Sequence, residues 1–237
     1  AFGISVIYMK NKVVFLISYP EYIFEIKKYK KYLKFPILAM LSFSVYQGID
    51  AFWAPRLGES ALSYIGYSQR ILVALGTLVI IGPSTVLIPR LTIALEEGRN
   101  DDYFTDASLI LKMVLALTST IAVIGIILSK PIVKIMFETN GVAEVLSYML
   151  VGLIFMLCVV ISFRVLFIKE LGVKVALIGV YSTLSYFILS GLFSSLFGLI
   201  GIPLAYIFTW VLVFVITINT LFKDDKSCFF NNNLYIF

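Results

Sequence analysis

Residues 71–89 read ILVALGTLVIIGPSTVLIP, and none of them carries a charge. A helix needs about 20 apolar residues to cross the hydrocarbon core of a bilayer, and this run has that length. Residues 113–129 and 199–222 have the same apolar character. Together the three runs predict an all-α, polytopic membrane protein.

The overall composition supports this class of protein and argues against others. Of the 237 residues, 60% are hydrophobic and 14% are charged, whereas soluble domains carry about 25% charged residues. The sequence has no histidine and no GxSxG or P-loop motif, and Cys158 and Cys228 lack the spacing of a metal site. We therefore expect no enzymatic activity, no metal site and no cofactor.

Apolar runs and helix breakers divide residues 36–222 into six predicted transmembrane helices. Their expected ranges are 36–56, 61–89, 107–128, 144–167, 173–195 and 199–222. The apolar start of the chain predicts the end of a truncated transmembrane helix at 1–9, followed by a cytoplasmic linker at 10–35. The last segment, 223–237, is predicted to be a polar cytoplasmic tail.

The distribution of positive charge orients these helices. If the segment before the first helix is cytoplasmic, most lysines and arginines fall in cytoplasmic loops, and the outer loops hold only Arg56, Lys130 and Lys134. Cytoplasmic loops of membrane proteins carry such an excess. This topology also accounts for the net charge of +5, so the charge does not indicate a nucleic-acid partner.

Residues 21–34, EYIFEIKKYKKYLK, form a basic segment of a different kind. Tyr22, Ile26, Tyr29 and Leu33 share one face of a helix, and lysines fill the other face. This pattern predicts a helix lying in the headgroup layer and held by anionic lipid; a solvated basic linker is the alternative. The predicted membrane-surface residues are Lys27, Lys28, Lys30 and Lys31.

Three predicted helices carry a polar stripe. The first has Ser42, Tyr46 and Asp50 on one line with Gln47 beside them. The second has Ser63, Tyr67, Arg70, Thr77 and Ser84, and the fifth has Ser182, Ser185, Tyr186 and Ser190. Such stripes line either helix–helix contacts or a wet cavity.

The charges of these stripes need a neutralising environment. A charge within hydrocarbon costs several kcal/mol unless it is paired or faces water. Asp50 could face a cavity, or it could lie at the interface and pair with Arg56. Arg70 could likewise line the cavity, or its side chain could extend outward to the membrane surface.

Residues 49–92, IDAFWAPRLGESALSYIGYSQRILVALGTLVIIGPSTVLIPRLT, resemble the seventh and eighth helices of MurJ/MviN-type flippases, in the multidrug/oligosaccharidyl-lipid/polysaccharide (MOP) exporter superfamily. The matching elements are Asp50 late in one helix, Gly58 in the following turn, a Tyr-small-x-Arg element at 67–70 and the ending TVLIPRLT. Later elements of the family resemble SKPIVKIMFETNGV at 129–142, ISFRVLF at 161–167 and GLIGIPLAY at 198–206. The resemblance covers residues 36–222.

The resemblance implies two six-helix lobes around a central cavity, with this chain as the second lobe. Repeats of this kind place the binding site between the lobes and open it to each side in turn. The implied cargo is a polyprenyl-pyrophosphate-linked glycan, either a lipid II-like peptidoglycan precursor or a polysaccharide unit. The implied partners are this anionic glycan lipid, anionic membrane lipid and the missing N-terminal lobe, in the bacterial cytoplasmic membrane.

The resemblance also assigns roles to residues of the stripes. Arg70 corresponds to a cavity arginine, and its planar guanidinium suits the oxygens of a pyrophosphate. Asp50 corresponds to the acid of the preceding helix, and we expect it either to fix Arg70 in the empty state or to bind the candidate coupling ion, H⁺ or Na⁺. The residues expected to receive the sugar are Tyr67, Ser63, Thr77, Tyr46 and Gln47.

Two other functions remain open from the sequence. A cation-coupled multidrug exporter of the same superfamily would use a buried carboxylate for H⁺, Na⁺ or a cationic drug. A non-transporting membrane scaffold would bind a partner through the basic segment at 21–34, and its polar stripes would be packed tightly without a cleft.

Overall fold

The computed structural model describes residues 7–9, 12–14, 37–38, 41, 44–46, 48–137 and 141–222. The first helix, α1, is helical at every one of these residues from 37 to 53, and a 3₁₀ turn, Ala54–Leu57, follows it. Five further helices complete the bundle: α2 (Ala61–Glu96), α3 (Asn100–Phe137), α4 (Gly141–Ile168), α5 (Gly172–Phe197) and α6 (Gly201–Leu221).

The all-helical membrane class is confirmed for this bundle, and the predicted number of spans is not. By length and hydropathy, four described stretches could cross a membrane. The last of them, Gly172–Leu221, is a continuous helical stretch that contains both α5 and α6. Helix α1 is described only in part, so the count of six transmembrane helices stays a prediction.

Two predicted helix ends are wrong. The second helix was expected to end at Pro89, yet α2 continues to Glu96, and Pro131 lies inside α3 instead of ending it. A proline removes one backbone hydrogen bond and crowds the preceding turn. Neighbouring groups can satisfy the carbonyl that it frees in a membrane helix, so the helical path continues.

The beginning of the chain differs from the expected helix end. Ile7–Met9 (β1) pairs antiparallel with Lys12–Val14 (β2), with Met9 opposite Lys12. Ile, Tyr and Val favour strands because they pack well on a pleated surface. A helix end is therefore wrong for residues 7–9. The other residues of 1–9, the basic segment with Lys27, Lys28, Lys30 and Lys31, and the tail at 223–237 lie outside the described residues.

Helix α4 is the central helix of the bundle. It packs against α2, α3 and α6, while α5 packs mainly against α6. Within the apolar span of α4, 56% of the residues are buried inside the bundle, against 22% for α2. Helix α2 therefore presents a large exposed face to lipid or to another part of the protein.

Glycine permits the closest approaches between helices. A Cβ at Gly152 of α4 would lie 2.5 Å from the ring of Tyr206 in α6, so only glycine fits beneath this ring. Between α5 and α6, Gly198 has φ +60°, and a Cβ at Gly201 would lie 2.1 Å from the carbonyl oxygen of Phe193. These glycines let α6 turn back along α5 and pack on α4.

Candidate functional site

The carboxylate of Asp50 joins three helices. Asp50 lies near the end of α1 and is 2% exposed. The hydroxyl of Tyr186 in α5 donates a hydrogen bond to its Oδ1 at 2.5 Å, and Nε2 of Gln69 in α2 donates a hydrogen bond to Oδ2. Hydrogen bonds to an ionised group are among the stronger ones in proteins. Both carboxylate oxygens thus have a partner from another helix.

An aromatic cluster covers one side of this carboxylate. Tyr46, one turn before Asp50, stacks on Tyr186 with ring centroids 4.6 Å apart and on Trp210 of α6 at 5.5 Å. Tyr206 meets the rings of Tyr186 and Trp210 edge-on, at 6.4 Å and 6.0 Å. These four side chains are almost fully buried. Tyr46 therefore lies inside the bundle, and the sugar contact expected for it stays a prediction.

Most of the α2 stripe lies on an exposed face of the helix, and Ser84 is half-buried. Ser63, Tyr67, Arg70 and Thr77 are all exposed. The guanidinium carbon of Arg70 lies 5.9 Å from the centroid of the Tyr67 ring. Arg70 also lines a cleft of about 460 Å³ together with Asp50 and Gln69. The structure therefore brings the predicted cavity arginine and the predicted acid to one cleft.

Neither expected ion pair of Asp50 forms. Arg56 stacks on the rings of Phe52 and Trp53, at 4.0 Å and 4.8 Å from their centroids. Within residues 48–137 and 141–222, Arg70 has no carboxylate within ion-pair distance. Asp50 is bound by Tyr186 and Gln69 instead, and its role toward Arg70 or a coupling ion stays a prediction.

A second cleft lies between α2 and α4. It holds about 380 Å³, and Arg164 on α4 is its only charged lining residue among those described. Hydroxyl groups from α2 share the cleft with apolar side chains of both helices. The lining residues are Val73, Gly76, Thr77, Ile80, Ile81, Ser84, Thr85, Met156, Leu157 and Arg164.

The arginines of the α2–α3 connection have acidic neighbours. Arg99 donates hydrogen bonds to Glu97 and Asp102, each at 2.8 Å, and Arg90 lies 3.6 Å from Asp106. The contacts of Arg99 are exposed and contribute little to stability, whereas Asp106 is half-buried. They nevertheless show that acids are available at this end of the bundle.

Sequence reasoning missed the partners of Asp50. Gln69 is the unspecified position of the Tyr-small-x-Arg element at 67–70, and Tyr186 is one member of the polar stripe on the fifth helix. They lie 19 and 136 positions from Asp50, so helical periodicity carries no signal for either contact. Gln47 lies outside the described residues, and among those described no three histidine, cysteine or acidic residues cluster as metal ligands.

Comparison with solved structures shows the MOP fold. "Lipid II flippase MurJ, inward closed conformation" matches with a TM-score of 0.67 at 19% identity, over 89% of this chain and 46% of that one. An outward-facing multidrug resistance MATE family transporter of the MOP superfamily matches with a TM-score of 0.68 at 20% identity, over 79% and 43%. A MOP superfamily transporter from Pyrococcus furiosus, titled "Reverse polarity of binding pocket suggests different function", gives the same figures.

These matches also show how much of the architecture the chain covers. It spans less than half the length of each of these three structures. A comparison with curated proteins finds no match. The family model described as "Lipid II flippase MurJ" matches residues 6–236. This match extends over nearly the whole chain, which therefore belongs to the lipid II flippase MurJ family.

Proposed function

We propose that this chain forms one wall of a flippase for a polyprenyl-pyrophosphate-linked glycan. The cargo would be a lipid II-like peptidoglycan precursor or a polysaccharide unit, carried across the bacterial cytoplasmic membrane by alternating access. One observation carries the proposal. The exposed Arg70 lines a cleft with Asp50, and no carboxylate among the described residues lies within ion-pair distance of its guanidinium.

The chemistry of the cargo fits such a group. A pyrophosphate brings negative charge into a layer that screens charge poorly, so its transfer needs a compensating cation. Arginine never loses its proton in proteins and offers two parallel donors to phosphate oxygens. Arg70 would receive the pyrophosphate, and the exposed hydroxyls of Tyr67, Ser63 and Thr77 would bind sugar.

Alternating access would require a second lobe opposite this one. The matched structures are more than twice as long as the part that this chain covers, and their fold supports a partner lobe across the cavity. The exposed face of α2 is the surface that we assign to the cavity. The two lobes would rock about their contact and open the clefts to each side in turn.

Asp50 is the candidate group for coupling to an ion. Its carboxylate links α1, α2 and α5 through Gln69 and Tyr186. Protonation, or a cation such as Na⁺ at the carboxylate, would weaken these two hydrogen bonds. The three helices would then be freer to shift against one another, which is the movement that alternating access requires.

A drug exporter is the second candidate, and the buried carboxylate of Asp50 is the observation that favours it. Such a protein would bind a cation where a flippase binds a phosphate. The two exposed arginines that line the clefts, Arg70 and Arg164, would repel a cationic drug. The non-transporting scaffold is disfavoured because the stripe of α2 is exposed and borders clefts.

The test is transport by the complete transporter that contains this chain, reconstituted in proteoliposomes with a fluorescent lipid-linked glycan. We expect Arg70→Ala to lower the flipping rate about tenfold or more, since a charge-assisted pair with phosphate is lost. Arg70→Lys should fall between Ala and wild type, because it keeps the charge and loses the planar fork.

Lys112→Ala is the matched control, since Lys112 is an exposed cation within the span of α3 and lines neither cleft. Wild-type flipping in both Arg70 variants would remove Arg70 from the mechanism. Export of a cationic drug by a protein that does not flip the glycan would favour the second candidate.

A further inference from the structure

Arg164 is an exposed cation on the most buried helix. It lies on α4 four positions before the last helical residue, Ile168, and its neighbours Phe163 and Val165 are buried. Its side chain borders the 380 Å³ cleft between α2 and α4. Between residues 48 and 137 and from 141 to 222, no carboxylate lies within ion-pair distance of it. A cation in this position needs water or an anion.

Ser84 supplies a second unsatisfied group in the same cleft. Its Oγ is buried and has no hydrogen-bond partner among the described residues. The neighbouring hydroxyls are already engaged, since Thr77 donates to the carbonyl of Val73 at 2.8 Å and Thr85 to that of Ile81 at 3.0 Å. Buried polar groups nearly always have a partner. One cation and one hydroxyl donor thus lack an acceptor.

The two groups lie at the same level of the bundle. Helices α2 and α4 run in the same direction, and a Cβ on Gly76 would lie 3.1 Å from the side chain of Leu157. Pro83, next to Ser84, lies seven residues after Gly76 on α2. Arg164 lies seven residues after Leu157 on α4. Both positions are therefore about two helical turns beyond the contact of Gly76 with Leu157, so the Arg164 guanidinium and the Ser84 hydroxyl border the same end of the cleft.

The rest of the cleft is apolar. Its walls consist of aliphatic and thioether side chains from both helices, namely Val73, Ile80, Ile81, Met156 and Leu157. An inorganic anion would use only the polar end. An amphiphile with a phosphate attached directly to a hydrocarbon chain would use both parts.

We propose that the α2–α4 cleft is a second anion subsite, which binds the lipid-linked phosphate through Arg164 and Ser84 and holds the first isoprenoid units along its apolar wall. This inference rests on the proposed function, since it gives the same cargo a second binding position. Arg70 and Ser84 are 14 residues apart on α2, which corresponds to roughly 21 Å along a helix. The phosphate would move between two positions at different depths, and Val73 borders both clefts.

The experiment measures lipid binding to the purified chain in phosphatidylcholine nanodiscs. The probes are a polyprenyl monophosphate, the neutral polyprenol of equal length, inorganic phosphate and phosphatidylglycerol. We expect Arg164→Gln to weaken polyprenyl phosphate binding about tenfold and to leave polyprenol binding unchanged. Ser84→Ala should weaken the phosphate ligand about threefold, as expected for one hydrogen bond.

Two further variants keep the test independent of folding. Lys112→Gln removes a cation from an exposed position on α3 and should bind all probes as wild type does. Arg164→Lys keeps the charge and should lose less affinity than Arg164→Gln. If Arg164→Gln does not fold, Ser84→Ala and Arg164→Lys decide the question.

The inference is overturned if Arg164→Gln and Ser84→Ala both bind polyprenyl phosphate as wild type does. It is also overturned if inorganic phosphate or phosphatidylglycerol competes as well as the polyprenyl ligand, because the cleft would then not recognise the amphiphile. Loss of flipping in Arg70 variants together with unchanged lipid binding in Arg164→Gln would leave the proposed function standing without this subsite. Wild-type flipping in Arg70 variants together with weaker lipid binding in Arg164→Gln would support the subsite and remove the transport role of Arg70.

Discussion

The arginines at the α2–α3 connection and those along the clefts have opposite environments. Arg90 and Arg99 lie beside acids of the same chain, at 3.6 Å and 2.8 Å. Arg70 and Arg164 are exposed beside the two clefts of α2, and no carboxylate among the described residues lies within ion-pair distance of either. The positive charges of the α2–α3 connection therefore have acidic partners in the chain, and those of the two clefts are left for the anionic cargo of the proposed function.

The double variant Arg70→Gln/Arg164→Gln gives the largest expected effect. We expect the flipping rate of the complete transporter to fall about a hundredfold, because two charge-assisted contacts with the cargo are lost. Arg90→Gln/Arg99→Gln is the matched control with the same change of charge, and its rate should stay within about twofold of wild type. Equal losses in both double variants would mean that net charge alone matters.

Asp50→Ala tests a buried carboxylate whose hydrogen-bond donors come from the chain itself. It leaves the donors of Tyr186 and Gln69 without their acceptor, and we expect a loss of about 3 kcal/mol in the free energy of unfolding. Asp50→Asn should lose less, since its amide oxygen still accepts one hydrogen bond. Thermal unfolding in detergent, followed by size-exclusion chromatography, measures both. Equal stability of Asp50→Ala and wild type would contradict the three-helix junction.

Tyr186→Phe removes one of the two hydrogen bonds to Asp50 and keeps the ring in its stack with Tyr46. The expected loss of stability is about 1.5 kcal/mol, typical of a hydrogen bond to a charged group. Tyr181→Phe is the control on the same helix, because Tyr181 is 45% exposed. An equal loss of stability in both variants would mean that the hydrogen bond from Tyr186 to Asp50 has no specific effect.

Arg99→Ala is expected to have the smallest effect. Its contacts with Glu97 and Asp102 are exposed, and exposed ion pairs contribute little to stability. The melting temperature should match wild type within experimental error at 150 mM salt. A clear decrease would mean that the α2–α3 connection contributes to the fold, and the contrast with the clefts would weaken.

The sequence predicted the helices better than their contacts. The apolar runs located α2 to α6 because a bilayer requires long apolar segments. The predicted helix ends at Pro89 and Pro131 were wrong. Proline usually ends a helix in water, but neighbouring groups in a membrane helix can satisfy the carbonyl that it frees. Tyr46 belonged to the predicted stripe with Asp50, yet it faces an aromatic cluster formed by α5 and α6.

The candidate site was predicted in part for the same reason. Asp50 and Arg70 were singled out because charges in apolar runs are rare, and both line one cleft. Arg164 is also a charge in an apolar run, but its cleft is formed by residues of both α2 and α4, and the sequence does not show that these helices are neighbours. Contacts between helices depend on rotation and depth, which a single sequence does not encode through local periodicity.

The length of α2 has a mechanical consequence. Its 36 residues give a rod of about 54 Å, while the hydrocarbon core is about 30 Å thick. Much of the rod therefore projects beyond the bilayer, and by the predicted topology its far end stands in the cytoplasm. A small tilt of α2 around the cargo would be amplified at that end, so a distance label near Gly98 would report the state of a cavity that the label never touches.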